Sequence, residues 1–248
     1  MEGAKEFYTE RHDLSAVYSG GQYHVAGLVG CKTIRNWAGQ RTEAIRGLDI
    51  GCGKGVFLKD FCGGLAQTHG LNIGSLVGMD LVRSPGNAFD QLPKGFEFVE
   101  ANVDGKPLPF DTDSFDFVTC NHILEHVFET EHLVDEIRRV LRPNGVAVIS
   151  VPNVGAWLNR LLFMLAIQPL GSEVGTRSIT YGFWPEGGKA RLKNYNPSGH
   201  IRDFTGRGLR DLVEACGFRV GDWWNQDGSF VGTLSKWGSR NMGVVVTN

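Results

Sequence analysis

Between residues 48 and 151, short apolar runs alternate with stretches in which apolar side chains recur at every third or fourth position. The runs beginning at Leu48, Ser75 to Asp80, Phe96 to Ala101, Phe115 to Cys120 and Val146 to Val151 predict five strands. Helical spacing fills the gaps. It predicts helices from Val29 to Trp37, from Val56 to about Gln67 and from Thr130 to Leu141. In the last of these Leu133, Val134, Ile137, Val140 and Leu141 share a face opposite Glu131, Asp135, Glu136, Arg138 and Arg139, and Pro143-Asn144-Gly145 marks the stop. Strand and helix in alternation build a parallel sheet through right-handed crossovers, so the fold class is α/β with a doubly wound sheet.

The pattern breaks after Pro152. Residues 153–199 contain one apolar run, Ala156 to Ile167, which reads as an amphipathic helix interrupted by Asn159 and Arg160, then a glycine-rich aromatic stretch. An insertion after a fifth strand lies above the carboxyl edge of the sheet, where it roofs a pocket. Its alternative uses are a membrane-surface contact or a homodimer interface. Regularity returns at His200, with Thr205 as N-cap of a helix through Leu209, Leu212 and Val213 to Cys216, and Gly217 as its end. Phe218 to Trp224 and Met242 to Val246 complete seven strands.

A chain of 248 residues accommodates one such domain with its insertion. Its net charge of -2 offers no general attraction to nucleic acid, and Lys189, Arg191 and Lys193 are too sparse to change that. Five scattered cysteines without a C-x-x-C pair argue against a disulfide framework and a structural zinc, and suit a reducing cytoplasm. The segment Met1 to Asp13 is charged and lacks a signal-peptide core, and no run reaches the length of a spanning helix. A soluble, cytoplasmic protein is expected.

Chemistry concentrates where the first strand ends, at Leu48-Asp49-Ile50-Gly51-Cys52-Gly53-Lys54-Gly55. Alternate glycines let a backbone turn sharply and clear room for a ligand against the main chain. The dinucleotide pattern G-x-G-x-x-G fails because Val56 occupies the third glycine position, and a P-loop fails because Gly55 follows Lys54. Asp80 ends the second strand, where a carboxylate accepts both hydroxyls of a ribose; its plainer role is to cap or begin a turn. The third strand leads to Asn102-Val103-Asp104 and the fourth to Asn121-His122, so each of the first four strands delivers polar groups at its carboxyl end.

These segments, with Pro107 to Phe110, Ser114 to Asp116, the run Ile-Leu-Glu-His-Val ending at Val127 and Arg139 to Gly145, make the chain similar to class I S-adenosylmethionine-dependent methyltransferases of the small-molecule type. The resemblance implies a Rossmann-like, mostly parallel sheet of seven strands whose last strand is antiparallel, and S-adenosylmethionine as cofactor. Asp49, Gly51, Cys52, Gly53 and Gly55 would cradle its methionine part, Asp80 with Leu81 the ribose, and Asn102 with Val103 the adenine. Asn121 would lie near the sulfonium. Many relatives carry aspartate where Asn102 stands; asparagine accepts only through its amide oxygen, and Asp104 is a substitute. Residues 1–45 would cap the cofactor, although aromatics such as Tyr18 and Tyr23 equally suit packing outside the sheet.

Methyl transfer requires an aligned nucleophile and, for a hydroxyl, removal of its proton. Histidine suits that task near neutral pH. His122 and His126 flank Glu125 and would share a helical face, and His200 follows the insertion, so these are the candidate bases; His24 is remote. The plainer roles are family structure for His126, pocket lining for His122 and bracing of the lid for His200. Glu125 would orient an imidazole or, as in the subset of methyltransferases that need one, ligate a metal, but no compact acid cluster indicates a metal. Trp157, Tyr181, Phe183, Trp184 and Tyr195 are candidate walls for a sugar, aromatic, quinone or lipid-linked acceptor, methylated on oxygen or else on carbon or nitrogen. The other readings are a cofactor-binding regulatory subunit without turnover and an NAD-dependent oxidoreductase, the latter disfavoured by Val56.

Overall fold

The computed structural model describes residues 25–83, 95–182, 197–225 and 239–248. Strands β1 (Ile45–Ile50), β2 (Ile73–Asp80), β3 (Phe96–Glu100), β4 (Phe115–Asn121), β5 (Leu141–Pro152), β6 (Arg219–Asn225) and β7 (Asn241–Thr247) form one sheet in the order β3-β2-β1-β4-β5-β7-β6. β1 pairs in parallel with both β2 and β4, while β7 runs antiparallel between β5 and β6. The strand order therefore reverses between β1 and β4. Ligands of open α/β sheets bind beyond the carboxyl ends at such a point.

Buried residues divide into one cluster on each face of the sheet. On one face, α4 (Thr130–Val140) and α6 (Gly206–Ala215) cover Leu48, Ile50, Val118 and Ile149. On the other, α1 (Val25–Val29), α2 (Lys32–Ala38) and α3 (Val56–His69) cover Ile45, Phe117, Val146 and Val148. Phe117 fills the space over Gly47, where a Cβ would lie 2.0 Å from its ring. The ring also meets Trp37 edge-on at 6.4 Å. Thus the described part of the N-terminal segment packs on the sheet as a layer; Tyr18, Tyr23 and His24 lie outside the described residues.

Several elements differ locally from the sequence expectation. The helix expected from Val29 to Trp37 is two helices, divided at Gly30-Cys31. The strand expected at Val146 already begins at Leu141: Phe115 pairs with Leu141 and Phe117 with Val146, so Arg142 to Gly145 bulge opposite Asp116 alone. Asn144 takes φ 60° in that bulge, and Arg41 and Arg142 donate to Asp116 at 3.0 and 2.9 Å. The bulge is held by these charges, which hydrophobic patterning does not register.

In the insertion, α5 (Trp157–Met164) does not break at Asn159. That residue is 2% exposed, and its side chain donates to the Leu170 carbonyl at 2.9 Å and accepts from the Leu170 amide at 2.8 Å. The helix is anchored through its amide side chain, whereas Met164 is 83% exposed. No helix among the described residues is long and apolar enough to cross a membrane.

Candidate functional site

The first wall of the site is the turn from β1 into α3. Gly51, Gly53 and Gly55 have φ 71°, 51° and 75°, a region that L side chains enter at a cost of about 1–2 kcal/mol. The amides of Gly51 and Cys52 donate to the Met79 carbonyl at 2.7 and 3.1 Å, tying the turn to the end of β2. A Cβ on Gly51 would lie 1.9 Å from Ile123, but one on Gly53 would meet nothing within 4 Å. Gly53 therefore faces open space.

Asp80 is oriented by the same turn: Gly53 donates to its Oδ2 at 2.8 Å and Leu81 to its Oδ1 at 2.7 Å. Asp49, buried at the end of β1, accepts from the Thr119 hydroxyl of β4 at 2.6 Å. Burial pushes its carboxyl up to about 7; the nearby charge of Asp80 adds to that, and the Thr119 bond opposes it. The buried Cys52 thiol is raised well above the range where it would ionise, by burial and then by Asp49 and Asp80, which leaves it no nucleophilic role.

Beyond β3, the Asn102 side-chain oxygen accepts from the Asp104 amide at 3.0 Å, closing a small turn around the partly buried Val103. Asp104 points its Oδ1 to the amides of Phe128 and Glu129 at 2.9 and 3.1 Å. It thereby secures the entry to α4.

β4 delivers the second wall. Asn121 accepts from the Ser150 hydroxyl at 2.7 Å, while its Nδ2 is buried without a hydrogen-bond partner. An orphaned buried amide group at the end of the strand paired with β1 fits a polar ligand. The chain then turns at His122, φ 57°, and makes a single 3-10 turn over Leu124–His126. His122 and His126 consequently do not share a helical face. They meet instead through Glu125, only 1% exposed, whose Oε1 accepts from His122 Nδ1 at 3.0 Å.

His200 joins them from 74 residues further on. The amides of Ile201 and Arg202 donate to the Glu125 carbonyl at 2.9 and 3.3 Å, and those of Ser198 and Gly199 donate to the Glu173 carboxylate at 2.6 and 2.8 Å. This lacing brings the His200 ring within 4.9 Å of the His126 ring and its Nε2 within 3.9 Å of Glu125 Oε1. Burial opposes the charge on Glu125, yet the His122 hydrogen bond and the three imidazoles hold it below its ordinary value. For His126 burial lowers the pKa and outweighs the pull of Glu125 in the other direction. All three candidate histidines therefore surround one buried carboxylate.

The aromatic walls are less gathered. Trp157 and Tyr181 are 57% and 45% exposed, and Phe183, Trp184 and Tyr195 lie outside the described residues. Thr119 and Ser150, which hold Asp49 and Asn121, were not singled out in the sequence, because a hydroxyl within an apolar strand carries no signal of its partner.

A model of the methyltransferase domain family matches residues 24–221. The chain belongs to that family. Residues 24–221 span the glycine turn, Asp80, Asn121 and the histidine cluster, and the methyltransferase cofactor is S-adenosylmethionine. The mitochondrial ubiquinone biosynthesis O-methyltransferase of Schizosaccharomyces pombe is 28% identical over 138 residues, 53% of this chain and 48% of that one, so the chain spans about half the length of that relative. The ubiquinone biosynthesis O-methyltransferase of Acinetobacter baumannii is 26% identical over 183 residues, 70% and 68% of the two chains. Among solved structures, Burkholderia thailandensis 1,6-didemethyltoxoflavin-N1-methyltransferase, with 1,6-didemethyltoxoflavin and S-adenosylhomocysteine bound, has TM-score 0.55 at 18% identity, covering 98% and 85%. That likeness shows the same fold.

Proposed function

We propose that this methyltransferase methylates an oxygen of a small-molecule acceptor held above the carboxyl edge of β4 and β5. The observation that carries the reading is the convergence of His122, His126 and His200 on buried Glu125, one turn beyond Asn121. By their names, the ubiquinone biosynthesis relatives act on oxygen, which supports the choice of acceptor atom.

The glycine turn and Asp49 would hold the methionine end of S-adenosylmethionine, Asp80 the ribose, and Asn102 with Val103 the adenine. When bound, the cofactor supplies a methyl group on a sulfonium, already a strong electrophile. The remaining work falls to the chain: to fix the acceptor oxygen in line, and to remove its proton as the new bond forms. Imidazole nitrogens oriented by backbone carbonyls and Glu125 are placed for that proton. Trp157 and Tyr181 would line the approach and exclude water once covered.

Single substitutions test the reading. His126→Ala and His200→Ala should each lower kcat by about 10²-fold or more, while calorimetric affinity for S-adenosylmethionine stays within about threefold of the parent, a span worth under ~1 kcal/mol. Full turnover in both variants would remove the cluster from the reaction. Failure of the parent protein to bind S-adenosylmethionine would overturn the cradle itself.

A further inference from the structure

We propose that Glu125, His126 and His200 bind a divalent transition-metal ion at the acceptor side of the site. Ligand-type atoms of these three residues all lie within 4.8 Å of one another. The inference rests on the proposed acceptor site and gives its imidazoles a different task, holding an ion that in turn holds the acceptor oxygen.

The hydrogen-bond pattern carries it. His126 Nδ1 lies 3.2 Å from the Gly199 carbonyl, and His200 Nδ1 lies 2.7 Å from the Gly171 carbonyl. A carbonyl only accepts, so in both rings Nδ1 carries the proton and Nε2 is the lone-pair nitrogen of the neutral form. Metal-binding imidazoles are fixed in this way, by a backbone carbonyl on the other nitrogen. Their common neighbour is an anion: Glu125, 1% exposed, with His122 donating to Oε1 and with Oε2 buried and without a hydrogen-bond partner. The His200 Nε2 lone pair lies 3.9 Å from Oε1 of the buried Glu125 carboxylate, and like-signed groups at that distance repel. A cation between them removes that repulsion and occupies the orphaned oxygen.

The donor set selects the ion. Two imidazoles and one carboxylate form a three-ligand site of the kind that holds zinc or a neighbouring transition metal with positions left open, at bonds of roughly 2.0–2.2 Å. Magnesium and calcium prefer oxygen ligands. The sequence pointed away from a metal because acids are not clustered; the ligands here are chiefly imidazoles, and one of them arrives from beyond the insertion. In the reaction, the acceptor hydroxyl would bind an open position and lose its proton to water at lower pH than when free. Its oxygen then forms the C–O bond as the C–S bond breaks, with S-adenosylhomocysteine leaving.

Cobalt(II) titration of the untagged, metal-free protein tests the site without any acceptor. Visible absorption should report saturation at one equivalent. Glu125→Gln, His126→Ala and His200→Ala should each weaken binding by more than the roughly 10–100-fold that loss of a supporting hydrogen bond costs a metal site. Calorimetry with S-adenosylmethionine on the same preparations shows that each variant is folded. Absence of stoichiometric cobalt binding in parent protein that binds S-adenosylmethionine, or binding indifferent to all three substitutions, would overturn the metal site. Cobalt binding without S-adenosylmethionine binding would instead uphold the metal site and overturn the cofactor cradle.

Discussion

Asp49 shows how burial sets the protonation of a single residue and makes stability depend on pH. Its carboxyl is raised to about 7, chiefly by burial. The unfolded chain ionises it near the ordinary carboxylate pKa of about 3.9. Between these values the folded state holds a proton that the unfolded state has lost, so stability falls as pH rises from about 4 through about 7 and then levels. Asp49→Asn should abolish that component: the melting temperature of the variant, relative to the parent, should rise between pH 5 and pH 8. An unchanged difference across that range would show that Asp49 is already ionised in the unliganded fold. At this scale the sequence was informative wherever a role depends on neighbours in the chain. The backbone conformation of Gly51 and Gly53 was legible because a strand-to-helix turn dictates its own backbone. The bonds from Asp104 to the Phe128 and Glu129 amides were not, because those partners lie over twenty residues away.

Among the elements, α5 departs most from its hydrophobic pattern. Asn159 read as an interruption, yet it is the buried anchor that pairs with both polar groups of the Leu170 backbone, while much of the helix's apolar surface is exposed. Asn159→Ala would leave the Leu170 amide and carbonyl unpaired, a loss of about 1–3 kcal/mol. Amide exchange at Leu170 should accelerate accordingly, and unchanged protection there would mean that the segment is held by other contacts. The turn at Leu124–His126 departs for a related reason. Its sequence suits a helix, but a positive φ at His122 and the bonds from Ile201 and Arg202 to the Glu125 carbonyl hold it as a single turn. Local propensity is weak over so few residues, and tertiary hydrogen bonds override it.

For the whole molecule, the reversal of strand order between β1 and β4 brings the glycine turn, Asp80 and Asn121 to the carboxyl ends of three neighbouring strands. Ligand binding there should stabilise the entire domain. At 100 times its dissociation constant, S-adenosylmethionine should add about 2.7 kcal/mol and raise the melting temperature, whereas NAD at the same concentration should leave it unchanged. Equal stabilisation by NAD would contradict the cofactor reading drawn from Val56. By itself the sequence determined the α/β alternation, the glycine turn and the strand-end carboxylates, since these follow from periodicity and from backbone needs confined to a few consecutive residues. Only the tertiary structure decided that His126 and His200, so far apart in the chain, share one buried carboxylate, and that Asn159 is inside while Met164 is outside. Those outcomes depend on which chain segments meet, and contacts across long loops leave no mark on the local spacing of apolar and polar residues.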